Sequence, residues 1–369
     1  MGSIFPYENA KGEKHYRIVF RDAEHKQTSK RGFKDLKSAK LALGRIENAV
    51  HDGSYVGHQR GMKLVSDLAP AWLATKKATL KPSSYNAIDT SWNVHVKKRW
   101  GSVPVAKIRR DAVQAWANEL GRGPTTVRRA NEVLAGILDT AIPASIKTNP
   151  AREIALPKKE TAKERRYLSH KQLWQLAETA PKHKLHILTL GYCGIRWGEL
   201  TALQVGDLDL EKQLITVSRN VVQIGSKLVP GTPKSGEARR VPVPSRVWKL
   251  LLEHTKDKPS KSLIFPNEYG GFIHPPTGGR SGRSWWVSAV KKSGLEYLTI
   301  HDLRHTAASL AVASGAHVKI IQRMLGHSSA AVTLDVYSDL FEDDLHTLTS
   351  RLDSAIDAAI VAESVAKDD

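Results

Sequence analysis

From Leu64 to about Ile142, apolar side chains recur at i, i+3/i+4 and i+7 almost without a break, through VSDLAPAWLATKK, SSYNAIDTSWNVHVKKRWG, RRDAVQAWANELG and TTVRRANEVLAGILDTAI. A period of 3.6 buries one stripe of a helix and is incompatible with a half-buried strand, so this stretch is committed to helices packed on one another. Three of the four segments carry Ser, Asp or Thr near the start, where an N-cap is needed. GHQRGMK before the block has the composition of a linker, and Pro- and charge-rich NPAREIALPKKETAKE (149–164) follows it. The two connectors predict three domains, 1–60, 64–155 and 165–369.

The first domain reads as three short strands and a helix. SIFPY and HYRIVFRD are separated by ENAKGEK, whose Asn9 and Gly12 suit a tight reversal. KQTSKRGF continues as a third strand bearing Lys26, Lys30, Arg31 and Lys34, and Asp35 or Ser38 caps a helix with Ala39, Leu43, Ile46 and Val50 at helical spacing. Such a basic sheet face fits a DNA groove, and it fits a solvated surface equally well. In the third domain LITV (214–217), VVQI (221–224) and RRVPV (239–243) are the strand candidates, with PKSG (233–236) turning between the last two. The predicted class is therefore multidomain and mainly α. A small three-stranded sheet plus helix comes first, a helical domain second, and a mixed, mainly-α domain with a small antiparallel sheet third.

Charge narrows the function. The chain carries a net +19 with a pI near 9.8, which concentrates polyanions at its surface and makes nucleic acid the default partner. Lys97, Lys98, Arg128 and Arg129 stand on otherwise amphipathic helices. Residues 338–369 reverse the sign, with nine acids against two bases. Leu340, Phe341, Leu345, Leu348, Leu352, Ile356 and Ile360 nevertheless form an apolar stripe there, suited to docking on a neighbouring subunit or on its own domain. Cys193 is the sole cysteine, so no intrachain disulfide is possible, and neither a membrane-spanning run nor a signal peptide is present. A reducing cytoplasm is the expected compartment.

Four clusters in the third domain carry chemistry. In GIRWGELTAL (194–203), Arg196 stands near a helix start, placed either to grip a phosphate or to pair with Glu199 on the surface. In GTPKSGEARRVP (231–242), Lys234 occupies a hairpin tip, and Arg239 and Arg240 follow on a strand as candidate DNA contacts. In TIHDLRHTAASL (299–310), Thr299 and Asp302 have capping-box spacing, so His301 and Arg304 share the first turn, where the helix dipole favours an anion. His301 and His305 stand at i,i+4, but the glutamate of H-E-x-x-H is missing and Arg304 lies between them, which argues against a metal. In LGHSSAAVTLDVYSD (325–339), Gly326 stops a helix, His327 follows, and Tyr337 falls at the far end of the next helix.

Two arginines, a lysine, two histidines and a tyrosine, with no carboxylate set for magnesium, suit attack on a phosphodiester without a metal. A phenol of pKa near ~10 needs a base and a positive field to become a nucleophile. The pentacoordinate phosphate needs cationic donors, and the departing sugar oxygen needs a proton.

In order and approximate spacing, G-x-R-x-x-E-L-x-x-L, the lysine hairpin, H-x-L-R-H and L-G-H-x-x-x-x-x-T-x-x-x-Y resemble tyrosine recombinases, the phage-integrase family, over most of residues 190–340. The helical segment looks like the family's core-binding domain, and the N-terminal module is similar to the arm-binding domain of lambda-like, heterobivalent integrases. The resemblance implies Tyr337 as nucleophile, giving a 3′-phosphotyrosine and a free 5′-hydroxyl. It implies Arg196 and Arg304 as the phosphate clamp, Lys234 as general acid, His301 as general acid/base and His327 as a phosphate hydrogen-bond donor. Glu199 would orient the arginine helix. It implies no cofactor and no metal. The implied partners are double-stranded DNA at core-type and arm-type attachment sites, a homotetramer passing through a Holliday junction, a host DNA-bending protein and a directionality factor, all in a bacterial cytoplasm. A type IB topoisomerase would use similar chemistry, and a DNA-binding regulator would use none.

Overall fold

In the computed structural model the described residues are 2–22, 25–52, 61–158, 166–233, 236–276, 284–334 and 337, with 349, 352, 353, 356 and 357 of the tail. They divide into two compact units, Met1–Thr161 and Ala162–Asp369. Among the described residues no helix is long and apolar enough to cross a membrane.

The first unit opens with an antiparallel sheet in the order β1 (Ser3–Glu8), β2 (Lys14–Arg21), β3 (Gln27–Phe33), followed by α1 (Leu36–His51). The Asp35 carboxylate accepts from the Ser38 amide at 2.6 Å and caps α1. Ile18 and Phe20 of β2 bury against Ala39 and Leu43 of α1. Alternation then turns Arg17 and Arg21 to the opposite face of the sheet. That changes the expected basic surface. Lys26 and Lys34 flank β3 rather than lie in it, and Lys30 pairs with Ile18, on the face that covers α1. Lys30 and Arg31 are exposed all the same.

A second apolar cluster fills the helical part of the unit: α2 (Val65–Thr79), α3 (Pro82–Ser91), α4 (Arg110–Glu119) and α5 (Pro124–Asp139). Helix α3 runs through a π turn, Trp92–Val96, into Lys97–Trp100, and this buries Trp92, Val96 and Trp100 together. On α5, Val127, Ala130, Val133, Leu134, Ile137 and Leu138 face inward, each large side chain contributing about 1.5–3 kcal/mol of burial.

The second unit packs α6 (His170–Glu178), α7 (Lys184–Cys193), α9 (Ser245–Thr255), α10 (Trp285–Lys292), α11 (Asp302–Ala313) and α12 (Val318–Leu325) around a small sheet, with the four-residue α8 (Trp197–Leu200) beside it. Helix α7 is apolar on nearly every side and is buried at Ile187, Leu188, Leu190 and Cys193, as a central helix must be. The strands join differently from the expected hairpin. β4 (Leu208–Asp209), β5 (Leu214–Val217) and β8 (Arg239–Pro242) form one sheet, while β6 (Asn220–Ile224) pairs with an unforeseen β7 (Lys227–Gly231). Gly225, at φ +61, supplies the turn between β6 and β7.

Near the α7 start, His186 packs among His183, Phe265 and Trp197, with ring centroids 5.1, 4.5 and 6.3 Å away. Loss of water, then the neighbouring His183 and His254, pushes its pKa from 6.5 down to about 3. The folded state holds this ring neutral while the unfolded chain protonates it. Stability from the group is therefore intact above about pH 6.5 and drains away as pH falls toward about 3. We expect His186→Phe to flatten the fall in melting temperature between neutral pH and mild acid. Parallel curves for the variant and the wild type would refute the assignment.

Candidate active site

Helix α7 stops at Gly194, whose φ of +62° is left-handed. A Cβ there would fall 2.7 Å from the Leu325 Cδ2 atom, so the turn and the close approach of α12 both require glycine. The reversal brings Arg196 to the start of α8. Its backbone N–H donates to the Glu199 Oε2 atom at 2.8 Å, and its Nη1 donates to Oε1 at 2.9 Å. The Arg196–Glu199 pair foreseen as a surface contact is therefore real, but Glu199 is fully buried and Arg196 keeps 25% of its side chain exposed.

The second partner of Glu199 is Arg239, which we expected on a DNA-facing strand with Arg240. Arg240 is exposed. Arg239 is not: its side chain is 9% exposed. It donates Nη1 and Nη2 to the two Glu199 oxygens at 3.0 and 2.6 Å, and Nε to the Met324 carbonyl at 2.9 Å. The correction has a simple cause, because a buried carboxylate needs more than one cation to hold its charge. Burial works to raise the Glu199 pKa, but hydrogen bonds and charge from Arg239, then Arg196, outweigh it and hold the carboxyl below its usual range.

Helix α11 supplies the next group. Asp302 accepts from the Thr299 amide at 2.7 Å and from its hydroxyl at 2.6 Å, which fixes the first turn. One turn in, Arg304 is only 3% exposed. Its Nη1 donates to the Gly194 carbonyl and its Nη2 to the Leu325 carbonyl, both at 2.5 Å. Those carbonyls close α7 and α12, so the guanidinium sits on the negative ends of two helices. Burial, followed by the charge of Arg196, lowers its pKa to about 9, and it remains a cation at neutral pH.

Gly326, at φ +66, ends α12 in a left-handed turn, and a Cβ there would lie 3.0 Å from the Arg239 Cδ atom. His327 follows, with its Nδ1 2.9 Å from the Thr333 hydroxyl. Burial, then Arg304 and Arg196, pushes its pKa to about 4. His301, exposed at the start of α11, is also lowered, by burial and then by Arg304 and Arg196 against the opposing Asp302. Both shifts favour the neutral imidazole. Tyr337 is fully buried with Ala308, Val312, Ile321 and Leu325. Its ring lies nearly parallel to that of His327, 12° apart with centroids at 6.4 Å. Its hydroxyl is 2.9 Å from the Nδ1 atom of His305.

One cluster thus gathers Arg196, Glu199, Arg239, His301, Arg304, His305, His327 and Tyr337. Lys234 lies outside the described residues, while Lys227, the nearby alternative, begins β7 and is exposed. In the tail, Leu340, Phe341, Leu345, Leu348 and Ile360 also lie outside the described residues, and Leu352 and Ile356 are exposed. Lys97, Lys98 and Arg129 are exposed, whereas Arg128 donates to the Pro157 carbonyl at 2.7 Å. Among the described residues no group of three His, Cys, Asp or Glu side chains could hold a metal ion. Sequence reasoning missed two members. From the sequence, His305 suggests at most a metal ligand, and Arg239 a DNA contact.

Residues 144–343 match the model of the Phage integrase family, and residues 64–121 match the phage integrase N-terminal SAM-like domain. The chain belongs to the phage integrase family. It is accordingly a tyrosine recombinase, an enzyme that breaks and rejoins DNA strands in a site-specific manner. Among its relatives, the integrase of Mycobacterium phage D29 is 28% identical over 66% of this chain and 67% of its own length. A XerC-like tyrosine recombinase of Caldanaerobacter subterraneus is 24% identical over 89% of this chain and 93% of its own. The fold is shared with the Tn1549 transposon integrase, solved with circular intermediate DNA, at a TM-score of 0.64 and 24% identity over 79% of this chain and all of that one. It is shared also with lambda integrase, solved as a tetramer on a Holliday junction, at a TM-score of 0.58 and 17% identity over 88% and 96% of the two chains.

Proposed function

We propose that Tyr337 attacks a scissile DNA phosphate, leaving a 3′-phosphotyrosine and a free 5′-hydroxyl, and that the strand is rejoined to a new partner through a Holliday junction. The observation that carries this reading is the set of three guanidinium groups, Arg196, Arg239 and Arg304, gathered around Glu199 within electrostatic reach of Tyr337. One carboxylate cannot neutralise three cations, and the surplus positive field suits the charge that builds on a pentacoordinate phosphate.

In this scheme Arg196, partly exposed, and Arg304 bind the non-bridging oxygens. Glu199 holds Arg196 in place, with Arg239 as its counter-ion. His301 lines the mouth as a neutral acid/base, and the Nε2 of His327, left over from the Thr333 contact, hydrogen-bonds the phosphate. Lys234 protonates the departing 5′-oxygen. Residues 64–155 grip core-type DNA, with Lys97, Lys98, Arg128 and Arg129 as candidate phosphate contacts. Residues 1–60 read arm-type sites through the outer sheet face of Arg17 and Arg21, with Lys26, Lys30, Arg31 and Lys34 at its margins. Four copies act on two duplexes, helped by a host DNA-bending protein, with a directionality factor governing excision.

The test starts from a duplex enriched from a random-sequence pool by binding to the full-length chain. In EDTA this duplex should give an SDS-resistant adduct whose tryptic fragment carries Tyr337, and two copies of it should yield recombinant joints. Inhibition by EDTA would overturn the metal-free reading, and relaxed circles without joints would point to a topoisomerase instead.

A further inference from the structure

We infer that His305, rather than His301, takes the proton from the Tyr337 hydroxyl as the nucleophile attacks. The inference rests on Tyr337 being the nucleophile. His301 stands at the N-cap of α11 and Arg304 and His305 in its first turn, and the two histidines do different things. His301 is exposed at the mouth and meets His305 edge-on, with ring centroids 5.2 Å apart and planes at 85°. His305 reaches inward, its Nδ1 2.9 Å from the phenol oxygen and its ring 5.7 Å from the tyrosine ring.

Burial makes this contact consequential. Tyr337 is fully buried, so bulk water is a poor destination for its proton. A phenol of pKa near ~10 is a weak nucleophile until it loses that proton, and an imidazole in hydrogen-bond reach is the group best matched to receive it near neutral pH. The step balances without another reactant. The bond from Oη to its hydrogen breaks and Nδ1 of His305 gains the proton, while Oη bonds to phosphorus and the bond from phosphorus to the 5′-oxygen breaks. The leaving oxygen takes its proton from Lys234. On rejoining, the 5′-hydroxyl attacks phosphorus and gives its proton back to Lys234, the phosphotyrosine bond breaks, and His305 returns its proton to the phenol oxygen. The charged and titratable groups around His305 include His301 at the cap of its helix, Arg304 on the helix itself, His327 and Tyr337. The guanidinium of Arg304 favours the phenolate.

Asparagine is the informative replacement, because its Oδ1 stands as many bonds from Cβ as the Nδ1 of histidine. His305→Asn can therefore keep a hydrogen bond to the phenol yet cannot take its proton. The probe is the selected duplex, with a bridging 5′-sulfur at the mapped cut so that the leaving group needs no proton. Wild-type adduct formation should level off above neutral pH. The His305→Asn variant should bind the duplex as tightly, form adduct about 10²-fold more slowly at neutral pH, and gain about tenfold per pH unit into the alkaline range. A variant profile parallel to the wild type, or the alkaline rise appearing in His301→Asn instead, overturns the inference. Should the variant fail to bind, the wild-type profile decides: a rate still climbing about tenfold per unit beyond pH ~8 leaves no role for an imidazole base. Adduct from a Tyr337→Phe control would overturn the nucleophile assignment separately, and so would the absence of adduct from the wild type.

Discussion

Replacing Tyr337 by phenylalanine should leave a chain that folds, binds its duplex and forms no SDS-resistant adduct at all. Nothing else in the pocket can substitute for the phenol. Arg196, Arg239 and Arg304 are obligate cations, and the imidazoles of His301, His305 and His327 are placed to transfer protons or donate hydrogen bonds. The structural cost is small, because the ring keeps its place among Ala308, Val312, Ile321 and Leu325 while the hydroxyl goes, and with it the bond to His305. One such hydrogen bond is worth about 0.5–1.5 kcal/mol. A gel-shift assay beside a denaturing gel separates the two effects. Covalent product from the variant would remove Tyr337 from the mechanism.

Glu199→Gln should do the opposite and strike the fold as hard as the chemistry. The carboxylate is fully buried and joins the Arg196 helix to strand β8 through Arg239. Making it a neutral amide leaves Arg239 charged and nearly buried with no counter-ion. Breaking a buried pair in this way costs about 3–5 kcal/mol, a large share of a domain's stability. The urea midpoint of the full-length chain reads this directly. Adding Arg239→Met should restore a good part of the loss without restoring recombination, since it removes the stranded charge but not the need to orient Arg196. Acid should reproduce the single variant. The Glu199 carboxyl is held below its usual range, so its contribution is present above that range and is lost as pH falls through the lowered value. Unfolding midpoints equal to wild type would show that Arg239 finds another partner.

The sequence made the site's local parts readable, because each is written within one turn. The cap at Thr299 and Asp302, the stop at Gly326 and the pairing of Arg196 with Glu199 are each written in neighbours a few positions apart. The helical block from Leu64 was legible for the same reason. What stayed hidden depends on distant partners. Arg239 looked like a surface base because its acceptor, Glu199, lies forty positions away, and nothing local reports that the carboxylate is buried. The sheet was misjoined because β8 pairs with β5 across an inserted hairpin, a choice settled by packing rather than by turn residues. Arg17 and Arg21 could have been found. The inward positions of Ile18 and Phe20 in HYRIVFR turn both arginines outward by period-two alternation. His305 could not, since its contact with Tyr337 spans 32 positions and needs two helices to be docked.

Arg304 closes off α7 and α12 by holding the Gly194 and Leu325 carbonyls, and it is also a proposed phosphate ligand. Cutting competence is then a late product of folding rather than a property of any segment. A nascent or partly unfolded chain, however basic and however firmly it clings to a chromosome, has its guanidinium adrift and its phenol unplaced. For an enzyme whose error is a severed genome, that coupling is a safeguard: the chain has nothing to cut with until it is completely assembled.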